Sequence, residues 1–148
     1  GRFYDAEGYY RTARALRLSN PLPMVGMALA RLGANELLTA AFHHQRALNL
    51  FPPLMETRPD VVELLGEKVA RKRAKSLDEL IESRGKKAEA SLLALAATVH
   101  SSLGNEETAA GYARRLKAAA GEEKVLKAYA AILLGEQKPG PATKPAKE

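Results

Sequence analysis

Three histidines are the side chains of this chain best suited to bind a metal ion, and two of them are adjacent. His43 and His44 lie in one segment with helical periodicity, and His100 lies in another. Neighbouring residues on a helix point about 100° apart, so His43 and His44 cannot both face one ion. The chain contains no cysteine, and no acidic cluster accompanies the histidines. We therefore expect no metal site, with one imidazole of the adjacent pair in the core and the other facing solvent.

The sequence also lacks the motifs of common enzyme active sites. It has no glycine-rich phosphate loop, no nucleophile with a histidine in a recognisable setting, and no close carboxylate pair framed by apolar residues. Glutamate pairs at 106–107 and 122–123 stand where first turns of helices are expected, and carboxylates there interact favourably with the helix dipole. That placement accounts for them without catalysis. We expect a non-catalytic protein with no cofactor.

The densest basic cluster lies between residues 68 and 87. Its candidates for binding an anion are Lys68, Arg71, Lys72 and Arg73. Nucleic-acid binding would require these cations on one face together with aromatic rings for stacking, and no aromatic residue lies between Phe51 and Tyr112. Interleaved acidic residues neutralise much of the charge. A solvated helix face with local ion pairs is therefore favoured, and the alternatives are an anionic partner such as nucleic acid, or a targeting signal.

The overall composition favours one all-helical domain. Of the 148 residues, 46% are apolar, and many of these are alanine and leucine, with three phenylalanines, five tyrosines and no tryptophan. Beta-branched residues are few and do not alternate with polar ones over the length of a strand. The formal net charge of +6 does not by itself indicate nucleic-acid binding.

The compartment is only weakly constrained. Without cysteine there is neither a disulfide nor a thiolate metal site. No apolar run approaches the roughly 20 residues that cross a bilayer, so we expect no membrane span and favour a soluble, cytoplasmic protein. The chain begins at Gly1, and its first residues look like the middle of a repeat. We therefore interpret it as a processed product or a piece of a longer protein.

Apolar periodicity, together with proline, glycine and N-cap residues, predicts most helix boundaries. Helices are expected at about 2–18, 21–32, 36–51, 88–103, 106–120 and 122–134, with shorter ones between 59 and 85. Asn20 and Asn35 are expected as N-caps, and Gly33 as a C-cap. Gly26 should mark the close approach of two helices. Residues 76–79 fit a capping box that would open a short helix ending near residue 85.

The chain repeats itself. Residues 1–22 align with 33–54 through the pairs Gly1/Gly33, Arg14/Arg46, Ala15/Ala47, Leu16/Leu48, Leu18/Leu50, Pro21/Pro53 and Leu22/Leu54, and a fainter copy begins at Gly104. A period in the low thirties with helical composition is the signature of a stacked-helix array.

These repeats resemble the tetratricopeptide repeat family, best over residues 22–52. Gly26 matches the small residue of helix A, Gly33 the turn glycine, Ala40 the small residue of helix B, and residues 47–52 the Ala-Leu-x-Leu-x-Pro ending. Residues 1–20 look like the helix B of a preceding unit, and residues 88–120 like a weaker unit. The sequence departs from the family at His44, where an aromatic residue is usual, and over residues 54–88. Long bacterial proteins with divergent repeats look most similar.

The resemblance implies an all-α fold of antiparallel helix pairs, stacked as a short right-handed solenoid of about seven helices. The expected organisation is tetratricopeptide-like repeats over 1–53 with the first unit lacking its helix A, and degenerate connecting helices over 54–87. A further helix pair with a capping helix follows over 88–134, and then a flexible tail over 135–148.

The resemblance also implies that helix A lines a groove that binds a peptide or a helix. The groove residues expected from the family pattern are Met27, Ala30, Arg31, Thr98 and Ser101. Only Arg31 among them suits a C-terminal carboxylate, so that ligand is not favoured. Met27 has a second interpretation, in which it fills a core gap together with Met24. The expected function is a protein-interaction scaffold whose partner is an unidentified protein or peptide.

Two other functions stay open at this point. One is binding of nucleic acid or an anionic surface through residues 68–87. The other is a structural role as a section of a longer solenoid that self-associates through residues 3–17. An array that begins at helix B has an uncovered first face. Phe3, Tyr10 and Ala13 should therefore be partly exposed, or covered by another chain or by sequence outside this one.

Overall fold

The computed structural model describes residues 2–16 and 20–136, and every regular element in these ranges is helical. The nine α-helices are α1 (Phe3–Leu16), α2 (Leu22–Gly33), α3 (Leu37–Leu50), α4 (Leu54–Thr57), α5 (Val61–Leu65), α6 (Glu67–Arg84), α7 (Ala90–Ser102), α8 (Glu106–Ala119) and α9 (Lys124–Leu133), with a 3-10 helix at Gly85–Lys87. The predicted all-α class is confirmed. There are more helices than predicted because residues 54–84 form three separate helices. The predicted tail lies outside the described residues from position 137 onward.

The first three helices pack side by side, and two glycines of α2 set the distance to α1. The ring of Phe3 lies on Gly33, and the ring of Tyr10 lies on Gly26. Since the start of α1 meets the end of α2, the two helices are antiparallel. Gly26 therefore does mark a close approach, although an aromatic ring fills the space that its missing side chain leaves. Phe3 is half-buried, while Tyr10 and Ala13 are exposed, so their expected partial exposure is observed.

The boundary between α2 and α3 differs from the prediction. Gly33 is the last residue of α2, and Asn35 adopts the left-handed conformation, with φ 67°. Asparagine tolerates this conformation better than most residues. Its side chain does not cap α3, because Asn35 Oδ1 accepts a hydrogen bond from Arg73 at 2.9 Å instead. At the start of α2, Asn20 Oδ1 accepts from the Leu22 amide at 3.0 Å, so Asn20 does supply a cap-like contact.

The predicted helix start at Ser76 is wrong. Helix α6 runs without a break through this position, and the Ser76 hydroxyl donates to the Lys72 carbonyl at 3.2 Å. One buried stripe explains the continuity, since its members recur at spacings of three and four and no breaker interrupts them: Ala70, Ala74, Leu77 and Ile81. Tertiary packing of the stripe therefore outweighs the local capping motif, and no helix begins at Ser76.

Helix α7 is the centre of the molecule. Residues 92–100 are all buried, because α3, α5, α6, α8 and α9 pack around this helix. A helix that is covered on every side carries apolar or small residues all round, as α7 does. Helices α5 and α6 also pack against α2. The segment predicted as connecting helices thus packs against both α2 and α7, while α3 contacts α7 directly.

Replacing Gly26 with alanine is expected to destabilise the fold, although alanine is the better helix former by about 1 kcal/mol. The added Cβ would overlap the Tyr10 ring, so the ring must leave α2, and overpacking of this kind costs about 1–3 kcal/mol. Urea denaturation measures the change. In a Tyr10→Ala background the clash is absent, and the same substitution should become neutral or stabilising. Equal destabilisation in both backgrounds would contradict this packing.

Candidate interaction site

An apolar groove runs between α1 and α5, with α2 as its floor. Its volume is about 270 Å³, and most of its lining residues are apolar, with Arg2 as the charged member: Arg2, Phe3, Ala6 and Tyr10 from the α1 side, Gly26, Leu29 and Ala30 from α2, and Leu64 and Leu65 from α5. The two rims are accessible, because Tyr10 is 38% exposed and Leu64 is 59% exposed. The groove therefore joins a buried apolar floor to exposed apolar edges.

The rim at Leu64 is positioned by the short helix α5. Asp60 Oδ1 caps this helix by accepting from the Glu63 amide at 3.0 Å, and it also accepts from the Ser102 hydroxyl at 3.0 Å. Val61, in the first turn of α5, is fully buried. The cap and the buried valine hold α5 against α7, so Leu64 points away from the core.

The other rim, α1, is fixed to α2 by a charge network. Arg31 lies 2.6 Å from one oxygen of the buried Glu7 carboxylate, and Arg11 lies 2.7 Å from the other. Arg31 also pairs with Glu36, whose second oxygen accepts from the Tyr4 hydroxyl at 2.7 Å. Burial alone would raise the pKa of Glu7, but the hydrogen bonds from Arg31 and Arg11 outweigh it, so this pKa is lowered. Glu7 is thus ionised at neutral pH and holds α1 in place.

The five residues predicted to line a groove do not share one surface. Met27, Ala30 and Thr98 are buried, and Arg31 is engaged by Glu7 and Glu36. Ser101 accepts a hydrogen bond from Arg58 at 2.8 Å. The physical reason is packing: α3 and α9 cover Met27 and Thr98, and α5 and α6 contact both helices that carry the five residues. Of the five, only Ala30 belongs to the α1–α2–α5 groove, and only as part of its floor.

The two methionines of α2 form a small core of their own. Met24 and Met27 are buried against Ala47 of α3. This packing agrees with the interpretation in which Met27 fills a core gap. A partner cannot reach either side chain in this arrangement.

Thr98 instead joins three helices through a buried polar network. Its hydroxyl lies 2.9 Å from the Ala94 carbonyl, 2.6 Å from the Tyr129 hydroxyl and 3.2 Å from His44 Nε2. The one Thr98 proton goes to the carbonyl, so the geometry assigns Tyr129 and His44 as donors to Thr98. His44 then carries its proton on Nε2, and no described residue forms a hydrogen bond with its buried Nδ1. Burial lowers the pKa of His44 to about 4, so the ring is neutral.

The other two histidines lie apart from this network. His43 is half-buried, so the adjacent pair is divided between core and periphery roughly as predicted. His100 is buried; its Nε2 lies 2.8 Å from Asp78, and its Nδ1 lies 3.2 Å from the Asn105 amide. The Tyr112 hydroxyl donates to the same Asp78 oxygen at 2.6 Å. This cluster ties α6 to α7 and α8. Across residues 2–16 and 20–136, no three His, Asp or Glu side chains converge as ligands for a metal ion.

The four basic candidates of α6 also have different environments. Arg73 donates to the Gly33 carbonyl at 2.8 Å and to Asn35, so it caps the C-terminus of α2. Arg71 pairs with Glu67 at 2.6 Å. Lys68 and Lys72 are exposed and form no ion pair with any described residue. The four side chains therefore do not converge on one anion, and Arg73 in particular is structural.

The sequence analysis did not predict Leu64 or Arg58 as site residues. Leu64 lines the groove, and Arg58 lies in a polar pocket beside α7. Both residues belong to the segment predicted as connecting helices, where the repeat pattern gives no guidance. The available signal was local. Asp60 is a good N-cap, and an N-cap places Val61 and Leu64 on predictable faces of the short helix.

None of the helices in the described ranges combines the length and the apolarity needed to span a bilayer. No protein-family model, no curated protein and no solved structure matches this chain.

Proposed function

We propose that this chain is a non-catalytic protein-interaction module that binds an apolar peptide or helix of a partner in the α1–α2–α5 groove. The observation that carries the proposal is the groove itself, in which an apolar floor continues into the exposed side chains of Tyr10 and Leu64. Concave apolar surfaces with accessible rims are typical binding sites for amphipathic segments. The tetratricopeptide resemblance agrees with this proposal, because α2 is the helix that matches helix A.

The distribution of exposed apolar side chains supports a site in the first half of the chain. Within the described residues, every large apolar side chain that is exposed falls between positions 4 and 64: Tyr4, Tyr9, Tyr10, Leu22, Leu38, Phe42, Leu50, Phe51 and Leu64. Helices α6–α9 expose none. An exposed apolar patch is commonly covered by another molecule, and Tyr10 and Leu64 line the same groove.

The proposal is tested with Leu64→Glu. The side chain is exposed, so the fold should persist, whereas the partner should lose the burial of one leucine and meet a charge instead. Burial of a leucine is worth about 1.5–3 kcal/mol, so the affinity should fall at least about tenfold. A photo-crosslinking residue at position 64 captures the partner, and isothermal titration with the identified segment then gives the affinities of the wild type and the variant.

Leu22→Glu is the matched control, because Leu22 is 64% exposed and does not line the groove. It should bind the partner like the wild type. If Leu64→Glu and Leu22→Glu bind equally well, the groove is not the site.

A structural role as a section of a longer solenoid is the second candidate. It is favoured by the outer face of α1, where Tyr9 is 77% exposed. In that case the covering molecule is another copy or a neighbouring repeat unit. Sedimentation should then show concentration-dependent association that Tyr9→Lys removes and Leu64→Glu leaves unchanged. Binding of anionic surfaces through α6 has less support, because Arg71 and Arg73 are already engaged.

A further inference from the structure

A second pocket lies between α7 and the turn that joins α4 to α5. It has a volume of about 160 Å³, and polar groups converge on it: Arg58, Pro59, Asp60, Thr98, Ser101 and Ser102. These residues are distinct from those that line the α1–α2–α5 groove. A pocket of this size admits a small molecule or a single side chain.

Arg58 is the unusual residue of this pocket. Its φ is 28°, a left-handed conformation that side chains other than glycine rarely adopt, and such strain is often retained at ligand sites. Its side chain is half-buried, and Nη1 donates to the Ser101 hydroxyl at 2.8 Å. No carboxylate among the described residues forms an ion pair with it. The half-buried guanidinium thus keeps N–H donors that no described residue uses.

The three hydroxyl groups of the pocket are not equivalent. The proton of Thr98 goes to Ala94, and the proton of Ser102 goes to Asp60. Ser101 accepts from Arg58, and no described acceptor takes its own proton. The pocket therefore offers the remaining Arg58 N–H groups and the Ser101 O–H, all of which are donors. The Asp60 carboxylate also lines the pocket, and its charge repels a dianion more strongly than a monoanion.

We propose that this pocket binds a monoanionic carboxylate through Arg58 and Ser101. The planar guanidinium matches the two oxygens of a carboxylate, and the Ser101 hydroxyl lies beside it as a third donor. A small organic acid and an aspartate or glutamate side chain of a peptide present the same group. The nearby Asp60 charge makes phosphate, which is partly dianionic at neutral pH, the poorer ligand.

The test is a titration of the whole chain with sodium acetate, observed by NMR at the Arg58 Nε–Hε group and the Ser101 amide. Sodium chloride at matched ionic strength is the control. Saturable shifts with acetate and weak linear shifts with chloride are expected. Inorganic phosphate should bind at least threefold more weakly than acetate. Equal linear shifts with acetate and chloride, or tighter binding of phosphate, would overturn the proposal.

Variants show whether the named residues are responsible. Arg58→Gln should weaken acetate binding at least tenfold and Ser101→Ala about threefold, whereas Arg71→Gln, which removes an exposed arginine paired with Glu67, should change nothing. If Arg58→Gln and Arg71→Gln weaken acetate binding equally, the binding depends only on net charge and the proposed site is refuted. If Arg58→Gln does not fold, Ser101→Ala decides. Tighter binding of N-acetyl-glutamate amide than of acetate identifies a peptide side chain as the source, and equal binding identifies a free acid.

Discussion

Replacing Arg31 with methionine is expected to lower the free energy of unfolding by on the order of 3 kcal/mol. The substitution leaves the buried Glu7 carboxylate with Arg11 alone, and a buried charge that loses a partner is strongly destabilising. It also removes the pair with Glu36 and the contact of the guanidinium with the Tyr4 ring, which lies 5.6 Å away. Urea denaturation at pH 7 measures the loss.

Two control variants distinguish the loss of the Arg31 contacts with Glu7 and Glu36 from the effect of removing any positive charge. Arg71→Met breaks an exposed pair with Glu67, which should cost less than about 1 kcal/mol. Adding Glu7→Gln to Arg31→Met removes the stranded charge and should recover part of the stability. Similar losses in Arg31→Met and Arg71→Met would mean that Glu7 is not effectively buried.

Acid is expected to destabilise the protein from about pH 6.5 downward, through His44. In the unfolded chain this imidazole binds a proton below about pH 6.5, whereas burial lowers its pKa to about 4 in the folded state. Between these values the unfolded state holds more protons, so stability falls as the pH falls. The total loss is about 3 kcal/mol, incurred between pH 6.5 and pH 4.

Urea denaturation at a series of pH values measures this slope, and His44→Phe should remove most of it. The aromatic ring preserves the packing against Tyr129, whose ring centroid lies 5.9 Å from that of His44. The lowered pKa of Glu7 acts in a different window, because its contribution is present above its unfolded pKa of about 4.5 and is lost below it. A His44→Phe variant with the wild-type slope above pH 4.5 would contradict the assignment.

Local sequence signals predicted the helices well where packing did not override them. The starts and ends of α2, α8 and α9 follow from proline, glycine and apolar periodicity. The capping motif at Ser76 failed because an isolated signal of this kind is worth only about 1 kcal/mol, and the buried stripe from Ala70 to Ile81 outweighs it.

The candidate sites were harder to predict, because periodicity shows which face of a helix is apolar but not what covers it. Thr98 was expected to face a groove, and α3 and α9 cover it instead. Glu7 and Arg31 meet only because α1 lies on the two glycines of α2. Neither contact has a signature within a few residues of sequence. Both depend on how helices distant in sequence pack against one another.

The central position of α7 has a consequence for how the molecule opens. Residues 92–100 are buried by five other helices, so their amide hydrogens should exchange with solvent only when the whole domain unfolds. Helix α1 contacts chiefly α2, through two aromatic rings and one charge network, so it can detach while the remainder stays native. Helix α1, which carries the exposed tyrosines, is thus expected to detach before the remainder of the domain unfolds.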